Sequence, residues 1–192
     1  MYKISQPLTL TDIQKTLKNL IDNLVNISDN SGEFLLKLDD GRVIDTKGWN
    51  DWEWTHGIGL YGLLKHWQMS NDTKTRDIIL NWFQARFSEG TPTKNVNTVS
   101  PLLTLAYLAE QTDNPSYIPY LDNWAEWVMY HMPRTQENGL QHIVFNSENP
   151  QQLWDDTLMM CITFSQNWFT TQTPTLYRRS QTTIFTALQI PQ

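Results

Sequence analysis

A spacing of 45 residues constrains this chain more than any other feature. Leu60 and Leu63 recur as Leu105 and Leu108, and Trp82 recurs as Trp127. Each unit reads as a helix, a polar break (Ser70-Asn71-Asp72; Thr112-Asp113-Asn114), a second helix and a glycine-bearing loop (Gly90; Gly139). A period of this kind means stacked α-hairpins, in an open solenoid or a closed toroid. No βαβ alternation is present, which argues against an α/β fold. The expected fold class is all-α.

The individual helices follow from periodicity and caps. Ile13, Leu17, Leu20, Ile21 and Leu24 lie on one helical face, and Thr11-Asp12-Ile13-Gln14 reads as the capping box before them. Phe34 to Ile44 alternates loosely around Asp39-Asp40-Gly41, the pattern of a hairpin-like excursion. Asn50-Asp51 is the expected cap of a helix from Trp52 to Met69, and another helix runs from Asp72 to Ser88 with Ile78, Ile79, Trp82 and Phe83 inward. Ser100-Pro101 opens a fourth helix, and Asn114-Pro115 a fifth carrying Tyr117, Leu121, Trp124 and Val128. A sixth begins after Trp154.

Composition narrows the function. A net charge of −6 argues against a nucleic-acid partner, and it gives no help to an anionic substrate either. Cys161 is the single cysteine, so there is neither a disulfide framework nor a zinc cluster. No metal-ligand spacing, phosphate loop or nucleophile elbow occurs, and no cofactor is expected. Met1-Tyr2-Lys3-Ile4-Ser5 opens without a long apolar run. The expected location is therefore cytoplasmic, with no membrane partner. Nine tryptophans are many for 192 residues. Trp combines large area with an N–H donor, which suits cores and also platforms for sugar rings.

In stacked hairpins the starts of the first helices converge on one rim. Here those positions are Trp52 to Gly57, Asn95 to Thr98 and Gln152 to Thr157, with the loop Gly139 to Ile143 feeding the third. Rings beside carboxylates make a sugar site, because rings stack on C–H faces and a partly desolvated carboxyl is suited to proton donation. Each element also has a plainer reading. Asp155 and Asp156 suit a helix N-terminus through the macrodipole. His142 could be a loop histidine satisfied by backbone. His56, near Gly57, Gly59 and Gly62, could mark a place where glycines admit close helix approach.

Four segments occur in an order that resembles a known family. They are Trp52-Glu53-Trp54-Thr55-His56-Gly57-Ile58-Gly59-Leu60-Tyr61-Gly62, Val96-Asn97-Thr98-Val99-Ser100-Pro101, Gln141-His142-Ile143 and Leu153-Trp154-Asp155-Asp156-Thr157-Leu158-Met159-Met160. The family is the unsaturated rhamnogalacturonyl hydrolases, glycoside hydrolase family 105, with the related unsaturated glucuronyl hydrolases of family 88. The resemblance spans residues 10 to 160 and is most specific at Trp154 to Met159. It implies a six-hairpin (α/α)6 toroid, of which this chain holds part. It also implies removal of a 4,5-unsaturated uronic acid from an oligosaccharide by hydration of the enol ether, a route unlike the two-carboxylate glycosidases. By motif match, Asp156 is the acid/base and Trp154 the adjoining ring wall. His142, Trp54 and His56 are substrate contacts. Asn97 stands where part of the family has a second acid; an amide cannot act as a base, which leaves Asn97 as a substrate contact. The substrate-reading residues of the family's C-terminal half fall beyond this chain.

Two other readings compete. A non-catalytic hairpin-repeat module is one, although a tetratricopeptide array has a period near ~34 residues and no need of paired Asp at its rim. A toroidal sugar epimerase is the other, but it relies on histidines and a basic site, and this chain has four His. The C-terminal segment stands apart. All 20 acidic residues lie at or before Asp156, and nine of the residues after it are Thr. Tyr177-Arg178-Arg179-Ser180-Gln181 can be encoded so that the neighbouring frame reads Ile-Glu-Glu-Ala. The expected organisation is a glycosidase-like portion over 1–160 and an atypical tail over 161–192, arising from a frameshift near Met160–Cys161 and leaving the chain incomplete and inactive.

Overall fold

The computed structural model describes residues 8–38, 41–145, 147–162 and 164, and of residue 162 only the backbone. The expected tail therefore lies outside the described residues. Helix α1 spans Leu10–Val25, and a two-stranded antiparallel hairpin comes after it, β1 Leu35–Lys37 and β2 Val43–Asp45, with Leu36 opposite Ile44. Two helical hairpins come next. The first is α2 (Trp54–Ser70) with α3 (Thr73–Glu89). The second is led by the short α4 (Val96–Val99) and pairs α5 (Leu102–Thr112) with α6 (Ile118–Glu126), which a 3₁₀ turn at Pro115–Tyr117 precedes and a π turn at Trp127–His131 extends. A third begins at α7 (Asp155–Thr157) and its π turn Leu158–Ile162. The fold is all-α with stacked helices, as the repeat requires.

The repeat is visible in its turns as well as its core. Leu60, Leu63, Leu105 and Leu108 are all buried. Asn71 and Asp113 end α2 and α5 in the left-handed conformation, at φ 56° and 49°. The next residues, Asp72 and Asn114, cap the second helical segment of each hairpin by accepting from the N–H groups of Lys74 and Ser116. The core is aromatic. Trp52 and Trp124 stack at 6.3 Å and 8°, Trp82 meets Phe83 edge-on at 5.1 Å, and two of the buried indoles find backbone acceptors, Trp52 Nε1 on Thr98 O and Trp82 Nε1 on Trp49 O. Such a partner offsets the cost of taking an indole N–H out of water.

Two caps differ from the expected ones. Helix α1 starts at Thr9, whose hydroxyl accepts from Asp12 N–H while Asp12 accepts from Thr9 N–H, so the box lies two residues before Thr11. Helix α2 starts at Glu53 and not at Asn50-Asp51. Asp51 instead accepts from the N–H groups of Asp45 and Trp52, which ties the β-hairpin to the approach of α2. A cap is decided by which oxygen reaches a free N–H, and in both cases a nearer residue reaches it first.

Among the described residues, helix α1 packs on the core through Ile21, Leu24 and Val25. Its stripe of Leu10, Ile13, Leu17 and Leu20 is 37–70% exposed. An apolar stripe left in water favours association. We expect sedimentation velocity to show self-association that rises with concentration and weakens in the double variant Leu17→Glu, Leu20→Glu; a monomer at every concentration would contradict this. Among the described residues no helix is long and apolar enough to cross a membrane.

Candidate active site

The three helix starts meet, and hydrogen bonds show how. Trp52 Nε1 donates to Thr98 O at 2.7 Å and Ser100 Oγ to Trp54 O at 3.4 Å, which joins the first start to the second. Val96 N–H donates to Ile143 O at 2.9 Å, which joins the second to the His142 loop. His142 N–H donates to Gln152 O at 2.9 Å, which joins that loop to the third. The loop itself is shaped by buried Gln141, whose amide donates to Glu148 O and accepts from Gln151 N–H. Close approach of the first two starts depends on Gly57: a β-carbon there would lie 2.0 Å from Ser100 Oγ and 2.7 Å from its carbonyl carbon.

Of the described tryptophans, only Trp54 and Trp154 are exposed, and both sit on this rim. Trp154 lies flat on the His142 ring, centroids 4.1 Å apart and 4° from parallel, and its Nε1 donates to Gln152 Oε1. His142 is buried beneath it. Its Nδ1 faces Thr157 Oγ1 at 2.8 Å and Asp156 Oδ1 at 3.2 Å. Asp156 lies in the first turn of α7 with its side chain 40% exposed. One oxygen thus lies beside the imidazole and accepts from Thr157 Oγ1 while the carboxylate still reaches the rim. Asp155, beside it, is exposed.

The remaining expected residues are placed differently. His56 is 3% exposed, with Nε2–H donating to Gly48 O and Nδ1 accepting from Glu53 N–H at 3.1 Å. Burial holds its pKa below the ordinary range, so the ring is a neutral brace behind the rim. Asn97 is half-buried on α4, with its side chain against the carboxyl of Glu53. Glu53 itself is the residue that sequence reasoning passed over. It is 2% exposed, Oε2 accepts from Trp54 N–H at 3.2 Å, and Oε1 has no partner of good hydrogen-bond geometry. Burial pushes it up to about 7; bonds from Trp54 N–H and Asn97 oppose the rise, and the charge of Asp51 adds to it. The available signal was an acid set between two tryptophans at a helix start.

Nucleophilic thiol chemistry is not supported. Cys161 is fully buried, and burial, together with the charge of Asp156, raises its pKa, which keeps the thiol protonated. Among the described residues no three of His, Cys, Asp and Glu gather to hold an ion. The rim thus offers one exposed carboxylate backed by imidazole, two exposed indoles and one buried carboxyl: equipment for proton transfer beside a ring-shaped ligand.

The comparison with known proteins decides the family, because residues 12–186 match the Glycosyl Hydrolase Family 88 model. The chain belongs to Glycosyl Hydrolase Family 88. Within that assignment it is similar to the unsaturated rhamnogalacturonyl hydrolase YesR of Bacillus subtilis (strain 168), 32% identical over 111 residues, covering 57% of this chain and 32% of YesR. It is also similar to crystal structures of possible members of the GH105 family. One, from Klebsiella pneumoniae subsp. pneumoniae MGH 78578, is 47% identical with a TM-score of 0.89 over 98% of this chain and 50% of that one. Another, from Salmonella enterica subsp. enterica serovar Paratyphi A str. ATCC 9150, is 50% identical with a TM-score of 0.88 over 95% of this chain and 49% of that one. This family 88 chain spans about half the length of those solved relatives and about a third of YesR.

Proposed function

We propose that this chain carries the proton-transfer side of a cytoplasmic hydrolase that removes a 4,5-unsaturated uronic acid from the end of pectin or rhamnogalacturonan oligosaccharides. The observation that carries the reading is the Asp156 carboxylate, set with one oxygen 3.2 Å from His142 Nδ1 and exposed beside the Trp154 ring. Membership of family 88 and likeness to YesR support the substrate class, and the single cysteine suits a reducing compartment.

The chemistry balances as the addition of one water. Protonated Asp156 delivers its proton to C4 of the enol ether, and the positive charge develops at C5 and the ring oxygen. The carboxylate that remains takes a proton from water as that water adds to C5, which restores the acid. The resulting hemiketal opens, and the hemiacetal left at C1 releases the glycan. A carboxyl that gives and then takes a proton must be open on one side and held on the other, and the His142 and Thr157 contacts supply the hold. Trp54 and Trp154 offer their faces to the sugar, and His56 fixes the backbone beneath Trp54.

The test monitors absorbance of the conjugated alkene while an unsaturated galacturonyl–rhamnose disaccharide is incubated with a polypeptide that contains this segment within a complete ring. Loss of absorbance, with a saturated galacturonyl analogue left intact, is the expected result. Persistent absorbance in a folded, substrate-binding protein would reject the reading.

A further inference from the structure

We propose that Glu53 is a positioning residue of this site: a buried carboxyl that exchanges one proton with solvent and thereby turns the side-chain amide of Asn97 between presenting its oxygen and presenting its NH2 to the rim. The functional meaning rests on the reading given under Proposed function; the coupling between the two residues does not.

The geometry leaves Glu53 one free role. Oε2 is taken by Trp54 N–H, and Oε1, shut away from water, has no partner of good hydrogen-bond geometry. A buried polar atom in that condition costs stability unless some state of the site satisfies it. The Asn97 side chain lies against this carboxyl. The backbone of Asn97 is fixed. Its N–H donates to Asn95 Oδ1 at 2.9 Å, α4 is closed by reciprocal bonds between Asn95 and Thr98, and α4 packs on the turn Leu158–Ile162 just after Asp156. The amide can reverse about its own torsion, since the two ends of an amide are nearly the same size.

A carboxylate can only accept, so with Glu53 ionised the Asn97 NH2 turns inward and its oxygen faces the rim. A carboxylic acid must also donate, and Asn97 Oδ1 is the side-chain acceptor beside it. Protonation therefore reverses the amide and aims NH2 outward. The groups facing this pair are few. Asp51 precedes α2 and opposes ionisation, His56 on α2 is neutral, Arg86 of α3 acts on His56, and Asp156 lies two residues before the turn Leu158–Ile162 that packs on α4. Because burial pushes Glu53 up to about 7, both amide orientations are populated at neutral pH. The outward NH2 suits the anionic carboxylate of a uronyl ring, and the outward oxygen suits a hydroxyl.

The measurement is a side-chain NMR titration of the whole 192-residue chain from about pH 5 to about pH 9, tracking the Glu53 carboxyl carbon and the Asn97 side-chain amide across the carboxyl's shifted range. We expect both to titrate with one midpoint near 7, and the Asn97 response to vanish in Glu53→Gln. A Glu53 midpoint in the ordinary carboxylate range, or an Asn97 amide that ignores the Glu53 titration, overturns the proposal. Since the native chain alone yields both signals, a Glu53→Gln variant that fails to fold does not remove the test. No sugar is present, so this failure is distinct from that of the uronyl reading, which falls if coupling is intact but an unsaturated uronyl disaccharide binds at no pH to a polypeptide that contains this segment within a complete ring.

Discussion

Asp156→Asn is expected to abolish turnover of an unsaturated uronyl disaccharide while leaving its binding largely intact. Proton transfer by a positioned acid is worth roughly 10²–10⁴ in rate, and here one carboxyl would carry both proton steps, so the loss should fall at the upper end of that range or beyond. The substitution is close to isosteric. Asn keeps an oxygen for His142 Nδ1, so the stack of His142 on Trp154 should survive, and Trp154 should still respond when sugar binds. Asp155→Asn, one residue away and exposed, should cost far less, because it is the Asp156 carboxylate that lies 3.2 Å from His142 Nδ1. The check is absorbance kinetics for kcat beside tryptophan fluorescence for binding, in a polypeptide that completes the ring. A near-normal rate for Asp156→Asn would remove Asp156 from the acid/base role.

Gly57→Ala and Gly62→Ala, five residues apart on the same helix, should move stability in opposite directions. At Gly57 the new methyl would press into Ser100, including its backbone carbonyl carbon at 2.7 Å, which no rotamer change can relieve. Forced overpacking of this kind costs about 1–3 kcal/mol, and here it would also push α4 and Asn97 away from Glu53. At Gly62 nothing lies within 4 Å of the added carbon, so the change should stabilise by about 0.5–1 kcal/mol through helix propensity alone. Urea denaturation of the two variants beside the native chain measures both. Equal destabilisation would mean that Gly57 does not set the close approach of the two helix starts.

The glycines also show how far sequence reasoning reached. Three of them near His56 suggested close helix approach, and sequence could go no further than that. In the structure Gly57 meets Ser100, Gly59 meets Leu24 of α1, and Gly62 meets nothing. Identical residues at similar spacing differ because their neighbours come from segments distant in the chain. The rim candidates divide in the same way. Trp54, Trp154, His142 and Asp156 come to one rim, as helix starts in a repeat must. His56 faces away from the exposed side, because both its nitrogens are used by backbone at Gly48 and Glu53.

Periodicity and turn chemistry were enough, from the sequence alone, to determine the helices, their pairing and the rim on which Trp54, Trp154, His142 and Asp156 gather. These are local properties: an apolar stripe, an Asx cap or a left-handed turn residue acts within a few positions along the chain. Tertiary structure alone decided the caps at Thr9 and Glu53, the burial of His56 and the standing of Glu53 as a second acidic group. Burial is a sum over partners contributed by distant segments. A carboxyl's affinity for its proton depends on that sum, which for Glu53 exists only once α2 and α4 have packed together.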